Sequence, residues 1–179
     1  MSPSVAGFTL PSEQTAEKVA GLFDKNILSI GPEDLLEQAD AILSEVASLD
    51  ERAIVTGGGL GVGASAGAIL SSEGIESSGV TTSHGIGVQV SIEADGELTS
   101  SYEGDSSRQR LKHVPDCVAV AVDWAQKTRG PIQVNTEAHD TPVLMTSEGF
   151  SPLFSMVVPS AVRGDRLVRD ESFLSLIHI

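Results

Sequence analysis

The densest chemical signal in the sequence is a glycine-rich run, Thr56-Gly57-Gly58-Gly59-Leu60-Gly61-Val62-Gly63. The β-branched stretch Ala53-Ile54-Val55 precedes it, and Ala64-Ser65-Ala66-Gly67-Ala68-Ile69-Leu70 follows. Read as strand, turn and small-residue helix, this is a βα unit able to hold a phosphate. Backbone N–H groups of Gly57, Gly59, Leu60, Gly61, Val62 and Gly63 can approach a pyrophosphate, and the helix N-terminus adds partial positive charge. Small side chains over 64–68 let that helix lie close to a sheet. The same stretch also carries Gly63-Ala64-Ser65-Ala66-Gly67, which fits the G-x-S-x-G elbow of serine hydrolases. Asp105, Asp116, Asp123 and His139 follow Ser65 in the chain order of a serine–acid–histidine triad. The Gly57–Gly59 backbone is then the candidate oxyanion hole. Inside a tightly packed helix, however, Ser65 reads as one small packing residue.

Other reactive side chains are sparse. His84, His113, His139 and His178 show no helical ligand spacing, so the expected metal content is none. The single cysteine, Cys117, opens the apolar run Cys117-Val118-Ala119-Val120-Ala121-Val122 and reads as a buried thiol. That run fits a strand by its alternating valines, but Pro115 at its start favours a helix. Tyr102, the only tyrosine, is followed four positions later by Ser106 rather than lysine.

On these residues the sequence resembles the short-chain dehydrogenase/reductase family. The run SLDERAIVTGGGLGVGASAGAILSSEG is similar to that family's first strand, TGxxxGxG turn and first helix. ADGELTSSYEGDSS resembles its third strand, with Asp105 as the acid that contacts the adenine. AVDWAQKTRGPIQVNTEA resembles the helix and strand leading to the NNAG motif, with Asn135 on its first asparagine. TSEGFSPLFSMVVPSAVRGDRLV resembles the long helix beyond, interrupted here by Pro159. The resemblance implies an α/β fold with a doubly wound Rossmann-type parallel sheet, incomplete at the C-terminus. It also implies NAD or NADP as cofactor and oxidation or reduction of an alcohol or carbonyl. The family's serine and Tyr-x-x-x-Lys pair would fall after residue 179, so this chain would hold the cofactor-binding half, with no catalytic residue assigned. A serine hydrolase using Ser65 and a degenerate, non-catalytic nucleotide-binding protein are the competing expectations.

These sites need elements to position them. The chain's 179 residues suit one domain, and 40% are hydrophobic. From Pro32 the apolar residues Leu35, Leu36, Ala39, Ile42, Leu43, Val46 and Leu49 form one helical stripe, with Gly31 as cap and Glu33 and Asp34 in the first turn. A weaker helix is expected over 12–23. Val88, Val90 and Ile92 alternate with Gln89, Ser91 and Glu93 as a half-buried strand does. The expected organisation is a helical N-terminal appendage over 1–47, a partial dinucleotide-binding domain over 48–172, and a non-native tail over 173–179. Residues 1–51 hold ten acids and two lysines, more than half of the net charge of −14. Such an acidic chain is not expected to bind nucleic acid. With no long apolar run, no secretory signal and one cysteine, it is expected to be cytoplasmic and off the membrane. The expected partner is a small-molecule substrate, and a homo-oligomer is compatible with this class.

Overall fold

The computed structural model describes residues 19–132, 142–169 and 172. The chain divides into two compact units, one spanning Leu10–Gln133 and the other combining Met1–Thr9 with Val134–Ile179.

The first unit holds a short 3-10 turn (Lys25–Ser29), then α1 (Pro32–Leu49), β1 (Ala53–Leu70), β2 (Glu76–Ala94), β3 (Glu97–Ser107) and α2 (Cys117–Lys127). The three strands form one antiparallel sheet in the order β1-β2-β3. β2 and β3 are joined by Asp95-Gly96, whose φ values of 56° and 79° are those of the two-residue turn that matches strand twist. Ala53 pairs with Ile92 at one end of β1 and Leu70 with Glu76 at the other, with a bulge between Val55 and Gly57. Gly58, at φ +140°, turns the strand through that bulge.

Alternation decides the core. Thr82, His84, Ile86, Val88, Val90 and Ile92 point to one face of β2 and are all buried. On that face lie α1, through Ile42 and Val46, and α2, through Val118, Ala121, Val122 and Ala125. The α2 residues recur at i, i+3, i+4 and i+7, a single apolar stripe. Asp50 ties three elements together at its end of the sheet. Its carboxylate accepts from Arg52 Nη2 at 2.7 Å and from Gln126 Nε2 at 3.0 Å, joining the end of α1, the start of β1 and α2.

The second unit contributes α3 (Ser147–Ala161) and α4 (Gly164–Val168). Thr146 caps α3 by accepting from the Gly149 N–H at 3.2 Å. The helix continues through both Pro152 and Pro159.

The antiparallel sheet overturns the doubly wound parallel fold that the dehydrogenase resemblance implies. A parallel sheet needs a crossover between successive strands, usually a helix. Here β1 returns directly into β2 through Ser71–Ile75, where Ser71 N–H donates to the Ile75 carbonyl at 2.9 Å. The segment 64–70, expected as a helix, is the second half of β1. The helix expected from Pro32 does form, as does the one beginning at Cys117. Among the described residues, no helix is long and apolar enough to cross a membrane.

Candidate functional site

The glycine-rich run lies inside β1, and its register gives it a different meaning. Gly57, Gly59, Gly61, Gly63, Ser65 and Gly67 face the side of the sheet away from α1, opposite Gln89, Gly87, Gly85, Ser83, Thr81 and Gly79. Leu60 and Val62 point to the helix side, opposite Ile86 and His84. The run therefore makes a sheet face of hydrogens and small groups. No turn and no helix N-terminus follow it, so the arrangement that a strand–turn–helix phosphate site requires is not formed.

The other sequence candidates are dispersed. Ser65 is exposed in mid-strand opposite Thr81, without the sharp strand-to-helix turn of a nucleophile elbow. Asp105 lies in β3 opposite Ile86, five positions further along β2, or about 17 Å at the usual rise per residue. Asp116 is exposed and Asp123 half-buried, and they pair with Lys112 and Lys127, each four residues away. Asn135 and His139 lie outside the described residues. Cys117 is half-buried, and burial together with Asp105 pushes its thiol up, which leaves it a poor nucleophile. Among the described residues, no group of three or more His, Cys, Asp or Glu side chains is placed to hold a metal.

What stands out instead is the outer edge of β1. Among the described residues it pairs only with β2, so the other side of an 18-residue strand offers its backbone N–H and C=O groups unpaired. The strand contains no charged residue and no proline, the usual guards of an exposed edge. The opposite edge, β3, is shorter at 11 residues and carries Glu97, Glu103 and Asp105.

Beside that edge lies a cavity of about 370 Å³ between α1 and the sheet. Ala39, Ile42 and Leu43 of α1 wall it on one side, and Val55 through Leu60 with Ile86 and Val88 form the other. Its existence follows from residue size, because the glycines of the bulge leave unfilled the space that larger side chains would occupy. Leu36 and Leu43 remain 67% and 50% exposed on the flank of α1, although the sequence stripe expects them in the core. Asp40 shares that flank, four residues after Leu36 and three before Leu43. In all, α1 carries Glu33, Asp34, Glu37, Asp40 and Glu45 and no basic residue.

A buried polar relay fixes the groove from behind. The Leu111 N–H donates to His84 Nδ1 at 3.1 Å, so Nε2 carries the proton and donates to Gln38 Oε1 at 3.1 Å. Gln38 Nε2 then donates to the Lys112 carbonyl at 3.0 Å. Thr82 completes the lock. Its hydroxyl donates to the Arg108 carbonyl at 2.7 Å and accepts from the Asp24 N–H at 2.9 Å. Burial, with Arg110 nearby, holds the His84 pKa below its ordinary value, and the ring is neutral.

Fold and site together define an antiparallel α+β module with one open, unguarded edge strand. No protein-family model matches the chain, and no curated protein matches it. Among solved structures it is similar to TldE from Thermococcus kodakarensis, with a TM-score of 0.74 at 20% identity. The likeness covers 97% of this chain and 39% of that one, so the chain spans about two fifths of its structural neighbour. At this identity the likeness is one of fold. It contradicts membership of the short-chain dehydrogenase/reductase family. With the antiparallel sheet, it removes the basis for the NAD(P)-dependent oxidoreductase expected from that resemblance.

Sequence reasoning missed the edge and the groove. The signal was present as period two: glycine or serine at 57, 59, 61, 63, 65 and 67, with apolar or small residues at 60, 62, 64 and 66 between them. That alternation is a strand's.

Proposed function

We propose that this chain is a polypeptide-binding module in which an extended segment of a partner adds as a further strand along the outer edge of β1. The observation that carries this reading is the edge itself: 18 residues long, uncharged, without proline, and paired on one side only among the described residues. Main-chain hydrogen bonds from such an edge supply affinity that is indifferent to sequence, while alternate side chains of the added strand reach each face of the sheet. The edge strand itself favours this mode, since from Gly57 to Gly67 its residues on that face are glycine or serine and add no large side chain beside the incoming residues.

Backbone methylation tests the reading. The probe is a fluorescein-labelled heptapeptide, Lys-Thr-Leu-Thr-Leu-Thr-Lys, followed by fluorescence anisotropy against the full chain. An edge-added strand donates from alternate residues only. N-methylation of one alternating set should therefore abolish binding, and methylation of the other set should be tolerated. Equal binding by the parent and both methylated peptides overturns strand addition, as does no binding by the parent.

A further inference from the structure

We infer that the groove between α1 and β1 selects the added strand, taking an apolar side chain into the cavity beside the Gly57–Gly59 bulge and basic side chains against the acidic flank of α1. This inference rests on the strand-addition reading and assigns its specificity.

Three observations converge on that occupant. The first is continuity. The cavity of about 370 Å³ is walled by Val55 through Leu60 of the very strand whose edge is open, so a strand paired there carries every second side chain to the cavity's side of the sheet. The second is chemistry. Ile42, Leu43, Val55, Leu60, Ile86 and Val88 present hydrocarbon, and the exposed Leu36 and Leu43 extend it toward solvent. An aliphatic side chain of leucine size gains there the free energy of leaving water. The third is charge. Five carboxylates and no base on α1 repel an acidic segment and attract lysine or arginine. The same charge argues against a second copy of this chain as the occupant. Antiparallel pairing of two β1 edges would set the two acidic α1 helices beside each other on one sheet face.

The parent heptapeptide places lysines and leucines on one side of the strand and threonines on the other. Three changes read the selection separately. Serine in place of both leucines should weaken binding at least about tenfold, the scale of one buried aliphatic side chain. Glutamate in place of both lysines should weaken it severalfold at about 20 mM salt, an effect that shrinks as NaCl rises to about 0.2 M. The double variant Glu37→Lys with Asp40→Lys changes two exposed residues and should invert that preference, binding the glutamate peptide better than the lysine peptide. Ala39→Phe, which fills the cavity, should remove the leucine preference while leaving the methylation pattern intact. The inference is overturned if the serine and glutamate peptides bind as tightly as the parent while one methylation frame still abolishes binding. Loss of the methylation pattern itself sinks strand addition instead, so the two failures are distinct.

Discussion

Gly58 shows how one residue sets the site. Its φ of +140° is rarely adopted by residues with a side chain. A Cβ there would stand 3.1 Å from both the Gly87 carbonyl carbon and the Val88 Cα, and nearer still to the Gly87 oxygen. Gly58→Ala should therefore lower stability by about 1–3 kcal/mol, from backbone strain and a contact that only backbone movement relieves. Gly61→Ala is the control. A Cβ at Gly61 meets open space, and the change should stay within about 0.5 kcal/mol. Urea denaturation of both variants reads the difference, and equal midpoints would show that the bulge does not require glycine. His84 is the second such residue. Burial lowers its pKa in the folded protein, so the unfolded chain takes up the proton first as pH falls. Its contribution to stability is complete above the ordinary imidazole value of about 6.5 and is lost as pH drops below it. Protonation at Nδ1 would also set two donors against each other, since the Leu111 N–H points there. Urea midpoints should fall between about pH 7 and pH 5 in the parent, and His84→Gln should flatten that slope.

At the scale of elements, Asp50 is the joint that holds α1, β1 and α2 in one arrangement. Arg52 and Gln126 hold its carboxyl far below the usual carboxylate range, so the joint is complete above about pH 4 and fails as pH falls further. Asp50→Asn keeps the shape and loses the ion pair. It should lower the thermal midpoint at neutral pH and reduce the parent's loss of stability below about pH 4, which melts at both pH values would show. Much of this layer was legible in the sequence. The stripe from Pro32 marks α1, Pro115 marks the start of α2, and the alternation of Val88, Val90 and Ile92 marks the buried face of β2. What the sequence hid was β1 beyond Val55, where the glycines up to Gly63 read as a turn and 64–70 as a helix. Alanine, serine and glycine over 64–68 satisfy a close-packed helix as readily as a strand, and over 64–70 the strand is chosen by its pairing with β2, 6 to 18 positions away. The groove was hidden for a related reason. Leu36 and Leu43 continue the apolar stripe of α1, yet glycines at 57–59 rather than apolar side chains wall the cavity that Leu43 lines, and both leucines stay largely exposed.

For the whole molecule, the open edge and the net charge of −14 act against each other. A long, uncharged edge strand is a template for pairing with any extended backbone, including another copy of itself. Edge-to-edge pairing in antiparallel register keeps both copies' helices on the same face, and α1 is the helix packed beside β1. Each copy would then bring a helix of five carboxylates and no base, with Asp40 on the flank of Leu36 and Leu43, beside its twin. This repulsion protects the edge without placing a charge in it, which leaves the strand free for a partner of opposite sign. Protection of this kind depends on ionic strength, because the screening length falls from about 10 Å at 0.1 M salt to about 3 Å at 1 M. Sedimentation velocity should find the chain monomeric in about 20 mM salt and increasingly dimeric as NaCl approaches about 1 M. Amide exchange should slow over Ala53–Leu70 as the dimer forms, locating the contact on β1. A chain that stays monomeric at every salt concentration would show that the edge is guarded by something other than charge. A parent dimer already present at low salt would show that the acidic helix guards nothing, and the case for a basic partner strand would fall with it.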